Sequence, residues 1–275
     1  MSLAAAIHCR EVKAAPSKKA GRLTMKVVVI GGTGLIGSKL VQTLTEHGHD
    51  AVAAAPSTGV NAYTGEGLSS VLSGADVVVD VSNSPTLDDA AREFFQSATT
   101  NLLAAEKSAG VAHHVVLSVV GTDQLAAQSG YFDAKLLQER LIAEGPVPYT
   151  IVHATQFFEF LKTLADSATV DGTVRMPPAY FQPMAAADVA EGVAIAAVNA
   201  PVNGIVEIGG PVAVLLPDLL RTALTAVGDS RAVVADPQAK YWGIELGEHT
   251  LVPGPGASLF GTRFEDWILQ AAAKG

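Results

Sequence analysis

The 275-residue chain has a single cysteine, Cys9, so the body from Met25 onward can form neither an internal disulfide nor a thiolate metal site. A reducing cytoplasm is the compartment this fits. Charged residues are scarce, at 16%, and 18 Lys and Arg face 27 Asp and Glu. Such a balance supplies no clustered cations for phosphates, which argues against nucleic acid and against an anionic membrane surface as partners. No run of about 18 residues is free of charge and turn formers, so no spanning helix is expected. The seven histidines show no helical pairing with a glutamate of the zinc-enzyme kind, and no metal is expected. His113 and His114 would face opposite sides of a strand and read as core-edge residues.

What is present is apolar residue, 49% of the chain, enough for one large α/β domain or two small ones. Residues 1–24 stand apart. Five cations against Glu11 give them +4, leaving −13 on the remainder of a chain whose formal charge is −9. Their apolar stretch, residues 3–7, is shorter than the ~7–15-residue core of a secretory signal. Basic, nearly acid-free composition is also seen in transit peptides, but residues ahead of a start at Met25 account for it more simply. This leader is expected to be disordered and is set outside the fold.

The body opens on Val27, Val28, Val29 and Ile30, a run suited to a parallel strand buried on both faces. Glycines follow, then Ile36, Leu40, Val41 and Leu44 at helical spacing, with Gly48 where a helix stops. Strands are expected at 51–55, 76–81, 115–120 and 149–153, and helices at 84–109 and 131–144. The first of these helices presents Leu87, Ala91, Phe94, Ala98, Leu102, Ala105 and Ala109 on one face, with Ser84 and Pro85 at its start. This alternation predicts an α/β fold, a Rossmann-type doubly wound parallel sheet, with residues 25–154 as its dinucleotide-binding core. Past 155 the rhythm loosens into helices at 188–198, 217–227 and 264–273 and a strand at 204–208. Residues 155–275 are expected to form a small substrate-binding cap, interleaved with the core, over the C-terminal edge of the sheet.

Gly31, Gly34 and Gly37 stand three apart between a strand and a helix. The first suits a tight turn, the second close approach of backbone to a pyrophosphate, and the third close packing of helix on sheet. The helix N-terminus would add N–H groups and partial positive charge. A dinucleotide is the expected ligand.

This spacing, with Thr33, Leu35 and Ile36, resembles the short-chain dehydrogenase/reductase superfamily in its extended and atypical branches. Leu117-Ser118 closing a strand, Tyr131 and Lys135 opening a helix, residues 184–190 and residues 264–267 agree with it. The chain is most similar to the atypical NmrA-like subgroup of NAD(P)-binding proteins, a resemblance that covers residues 26 to about 270. That subgroup contains reductases and also proteins that bind the cofactor without turning it over.

Tyr131 and Lys135, four apart, share a helix face, and a cation within ~4–6 Å favours phenolate by ~1–3 units. Ser118 can meet the same site from the sheet. The resemblance implies that these three are the catalytic set: Tyr131 exchanges a proton, Lys135 lowers its pKa and holds the ribose, and Ser118 orients the substrate oxygen. The family's helix Asn is missing, because the corresponding stretch places Phe95 there; Asn101 reads as helix packing. Cofactor contacts are expected from Gly31, Thr33, Gly34, Leu35, Ile36, Gly37, Ser57, Thr58, Val81, Ser82, Asn83, Lys135, Ala154 and Thr155. Gln156, Phe157 and Phe158 would face the nicotinamide side and bind a flat apolar substrate, with core packing an equal alternative for both aromatics; Phe160 reads as core. Tyr180 and Phe181, near prolines, are a lid or a loop anchor.

The end of the second strand reads Ala54, Ala55, Pro56, Ser57, Thr58, without the carboxylate that accepts from the 2′-hydroxyl of NAD. Ser57 and Thr58 offer hydroxyls to a phosphate but no Arg accompanies them, so NADP is expected with modest preference and NAD remains possible. The function expected is an NAD(P)-dependent oxidoreductase moving hydride between nicotinamide and a small carbonyl or alcohol. A non-catalytic redox sensor acting on a partner protein is the alternative. A nucleotide-sugar epimerase comes third, since no second basic cluster for a substrate diphosphate is seen.

Overall fold

The computed structural model of the chain describes residues 24–86 and 90–272. The leader, apart from Thr24, lies outside the described residues, as does Leu87 near the expected start of the second long helix. In order come β1 (Lys26–Ile30), α1 (Leu35–Glu46), β2 (Asp50–Ala54), α2 (Leu68–Val71), β3 (Val77–Asp80), α3 (Ala90–Ala109), β4 (His113–Val119), α4 (Thr122–Leu125), α5 (Gly130–Ala143) and β5 (Tyr149–Ala154). Then follow α6 (Leu161–Ser167), β6 (Thr169–Val170), β7 (Thr173–Met176), β8 (Tyr180–Phe181), α7 (Ala186–Val198), β9 (Gly204–Gly209), β10 (Val214–Leu215), α8 (Leu216–Ala226), β11 (Ala232–Ala235), β12 (Ser258–Leu259) and α9 (Phe264–Ala272).

Seven strands pair in parallel in the order β12-β9-β5-β4-β3-β1-β2. Strand alternation sends Val27 and Val29 to one face, where they meet Leu40 and Leu44 of α1 and Val189 and Val193 of α7. Val28 and Ile30 point to the other face, against Leu68, Leu72, Ala98 and Leu102. Helices on both faces of a parallel sheet make the doubly wound α/β fold that the sequence predicts. The chain returns to this sheet after residue 155: α7 packs on α1, and β9 pairs with β5.

The rest of 155–272 builds a second apolar cluster around Leu161, Leu164, Met176, Phe181, Leu216 and Leu220. Two small sheets, β11-β7-β6 and β10-β8, frame it. Phe181 is buried in β8 and Tyr180 stacks on His249 at 4.9 Å, so this segment is anchored structure, not a hinged cover.

Two readings of buried faces change. In α3 it is Phe95, fully buried, that turns inward, while Phe94 is half-buried. His113 and His114 do face opposite sides of β4, but both are buried, not at the core's edge. His113 Nε2 pairs with the Thr150 hydroxyl at 2.8 Å, and His114 Nδ1 with Glu106 at 2.7 Å. No helix among the described residues is long and apolar enough to cross a membrane.

Candidate cofactor and substrate cleft

The turn after β1 is built for backbone contact. Gly31 has φ +77°, and a Cβ there would lie 2.9 Å from Ser82 Cα. A Cβ on Gly37 would come within 2.1 Å of the Gly31 carbonyl oxygen, so α1 seats directly on the turn. Gly32, outside the three-residue spacing, is as tightly held, since a Cβ there would lie 2.7 Å from Ala53 Cα; the Gly-Gly pair is its signal in the sequence. Gly34 differs. It precedes α1 in extended conformation, and an added Cβ would meet only the Gly31 oxygen, at 3.3 Å. No side chain caps α1 and no acid sits in its first turn, which leaves its orphan N–H groups for an anion.

A cavity of about 700 Å³ runs from this turn along the C-terminal ends of β1 to β5. Of the residues expected to contact cofactor, Gly31, Thr33, Gly34, Leu35, Ile36, Val81, Ser82, Asn83, Lys135, Ala154 and Thr155 line it. So do Ser118, Tyr131, Gln156 and Phe157. The Ser82 and Thr155 hydroxyls and both ends of the Gln156 amide are buried there without a protein hydrogen-bond partner. Buried polar groups are rarely left so. With the glycine cradle, they fit a dinucleotide rich in hydroxyl, phosphate and amide groups.

Four expected contacts lie elsewhere. Gly37 supports the turn from behind. Thr58 is spent locally, its hydroxyl accepting from Ala55 N at 2.9 Å and donating to Ala55 O at 3.0 Å, while Ser57 is exposed on the same short turn. Phe158 is buried against Phe264 and Trp267. The chain makes a 3₁₀ turn over Phe158–Phe160, in which residues three apart share a side. Phe160 therefore stacks on Phe157 at 5.7 Å, half exposed beside the cavity, and the core position falls to Phe158.

Tyr131, near the start of α5, donates its phenol O–H to Asn83 Oδ1 at 3.2 Å. Burial pushes this phenol up to about 12, opposed by the Asn83 bond. Lys135, one turn on, is buried. Its ammonium donates to the Leu117 carbonyl at 2.8 Å and to Gln138 Oε1, and it stands 4.8 Å from the centre of the Phe95 ring. Burial lowers it to about 8, against the opposing charges of Asp80 and Glu139. In this arrangement the ammonium serves the sheet, Gln138 and Phe95, and the expected lowering of the phenol is not what governs Tyr131. Ser118 shares the face of β4 on which His114 and Val116 point toward α3 and α5. Its hydroxyl donates to Glu139 Oε1, which His153 Nε2 also approaches at 3.0 Å.

Residues 31–201, more than half of the chain, match the NAD(P)H-binding family. The chain belongs to that family. A curated relative, the photosystem II assembly factor Ycf39 of Synechocystis sp., is 27% identical over 152 residues, 50% of this chain and 46% of that protein. The match thus spans about half the relative's length. Among solved structures, a short-chain dehydrogenase/reductase superfamily protein from Agrobacterium tumefaciens with bound NAD is 16% identical with TM-score 0.69, over 90% of this chain and 96% of that one. The NAD-dependent NDP-hexosamine 5,6-dehydratase TunA gives 15%, 0.65, 90% and 96%. UDP-glucose 4-epimerase from Thermotoga maritima, solved with UDP-glucose, gives 15%, 0.63, 80% and 88%. At these identities the likeness is one of fold alone.

The cleft also has aromatic walls outside the expected site residues: Tyr63 and Phe94 stacked at 6.1 Å, and Tyr241 with Trp242. Trp242-Gly243, an unusual pair for a tight turn, was the signal for the second.

Proposed function

We propose that this NAD(P)H-binding protein is an oxidoreductase acting on a small carbonyl compound or the matching alcohol, with the reaction centred on Tyr131. The observation that carries the reading is the Tyr131 phenol, hydrogen-bonded to Asn83 inside a cleft whose unpartnered Ser82, Thr155 and Gln156 groups call for a ligand. When bound, the cofactor supplies or accepts hydride at its nicotinamide ring. Gly31, Gly34 and the first turn of α1 would hold its pyrophosphate, and Ser82, Thr155 and Gln156 its remaining polar groups. Tyr131 exchanges the proton with the substrate oxygen. A phenol held near 12 remains protonated at neutral pH, which suits it to donate. Asn83, whose Oδ1 accepts from that phenol, holds it in position. Ser118 is engaged by Glu139 and acts as a positioning residue for the end of β4.

The preference for NADPH over NADH is part of this proposal. It rests on the end of β2, where Ala54, Ala55 and Pro56 line the cleft and no carboxylate does. Ser57→Asp should raise NADH affinity and lower NADPH affinity in competitive titrations; an unmoved ratio would contradict it.

One observation favours the sensor reading, in which cofactor binds without turnover: Lys135 is turned to Leu117 and Gln138. The epimerase reading has less support, because among the described residues lining the cleft Lys135 is the one cation. Consumption of NADPH with uncharged ketones and aldehydes separates these. The oxidoreductase reading expects loss of NADPH absorbance with at least one; tight NADPH binding and no consumption with any would establish the sensor instead.

A further inference from the structure

We propose that the substrate is an uncharged, flat, mainly apolar carbonyl compound, held between the Phe157–Phe160 pair and Trp242. This deepens the oxidoreductase reading of the same cleft and rests on it for the carbonyl group.

The cleft bridges two apolar clusters of different composition. Near the glycine turn its lining comes from the sheet and the segments beside it, including Ile30, Ile36 and Ala54. Beyond Tyr131 it comes from the second cluster, where Leu161, Leu164, Phe181 and Tyr241 form the walls. Among the described lining residues none is acidic, and the one cation, Lys135, is already bonded to Leu117 and Gln138. A phosphate or carboxylate entering this end would lose hydration and find no free cation in return. An ammonium would find no carboxylate. An apolar ring loses nothing by entering.

The aromatic walls are also displayed at some cost. Phe160 is 51% exposed and Trp242 is 42% exposed, each beside the cleft. Trp242 has φ +51° and Gly243 φ +82°, between Tyr241 and Ile244, whose backbones exchange hydrogen bonds of 2.9 Å. Two central residues at positive φ suit Asn-Gly, and a bulky residue in the first of these places is a strained choice. Folding alone would favour Asn at 242. Contact with a ligand supplies the reason for Trp, because strained residues persist where the site uses them. Exposed aromatic faces of this kind, with Phe157 and Phe160 stacked within 26° of parallel, favour flat rings.

The test is calorimetric titration of the NADP-loaded protein with acetonaphthone, pyruvate and UDP-glucose. Saturable binding is expected for acetonaphthone and not for the two anions. Trp242→Asn should weaken acetonaphthone at least tenfold, leave NADP affinity unchanged, and leave the melting temperature equal to or above that of the parent. Phe160→Ala should weaken acetonaphthone as well. Trp267, partly buried against Phe158 and Phe264, is the chain's other tryptophan, so Trp267→Phe isolates Trp242 emission, which should change on saturation with acetonaphthone. Tighter binding of either anion, no acetonaphthone binding, or unchanged affinity in both wall variants would overturn the proposal. Acetonaphthone that binds as expected but is not reduced would count against the oxidoreductase reading alone.

Discussion

The Tyr131 phenol reaches Asn83 Oδ1 at 3.2 Å, at the end of β3, while the Ser118 hydroxyl on β4 is directed to Glu139. On the proposed reading, Asn83 holds the phenol and Ser118 positions the end of β4, where the resemblance would give Ser118 the substrate oxygen. Asn83→Ala should lower the reduction rate about tenfold or more, since it removes the acceptor that holds the Tyr131 phenol in place. Ser118→Ala should cost about 1 kcal/mol of stability and change the rate by a few-fold at most. Steady-state kinetics beside urea unfolding decide it, and a stable, cofactor-binding Ser118→Ala protein with its rate abolished would restore Ser118 to the reaction.

Gly34 and Gly37 should respond differently to a side chain. A Cβ at Gly34 meets only the Gly31 oxygen, at 3.3 Å, a tight contact that a shift of a few tenths of an ångström relieves, so Gly34→Val is expected to fold and to lose dinucleotide binding by blocking the approach to α1. Gly37→Ala forces a carbon to 2.1 Å from the Gly31 oxygen and should destabilise the protein by several kcal/mol or displace the turn. Melting curves and NADPH titrations read both. Full affinity in folded Gly34→Val would remove the cofactor from this turn.

The sequence carried the first half of the fold because its signals are local. A β-branched run, a glycine turn and a periodic helix each declare themselves within about ten residues, and from 26 to 154 the main strands and helices lie within a few residues of expectation, except that residues 84–86, expected to open the long helix, are not helical and its described part is Ala90–Ala109. Less of the second half was legible. β6, β7 and β11 are two to four residues long, and β11 pairs with β7 across the gap from Ala232 to Thr173. No local pattern specifies that contact. In the site, spacing gathered Tyr131 and Lys135 onto one helix face, but it could not say that the ammonium would turn to Leu117, Gln138 and Phe95. The exchange of Phe158 and Phe160 has the same origin, because a 3₁₀ turn reverses the facing that an extended segment would give.

Acid should weaken the fold through His113. Burial, followed by the charge of neighbouring His114, lowers its pKa from 6.5 to about 4, with a backbone bond to Asn199 opposing. Its folded pKa lies below its unfolded one, so the unfolded chain binds the extra proton between these values. Stability from this group is complete above pH 6.5 and is lost as pH falls toward 4, by up to roughly 3 kcal/mol. Urea midpoints measured across that window should fall in the parent and stay flatter in His113→Asn, which keeps a polar partner for Thr150. Parallel pH curves would show that another group governs.

The proposed role of Tyr131, exchange of the substrate proton beside a dinucleotide in this cleft, has a direct test. The most direct measurement is the single-turnover rate of NADPH oxidation by Tyr131→Phe, with a carbonyl compound the parent reduces, beside the variant's NADPH dissociation constant. Cofactor affinity should be unchanged and the rate lower by ~10²–10⁴-fold, the usual worth of a positioned general acid. A Tyr131→Phe protein that binds NADPH and keeps the parent's rate would contradict it.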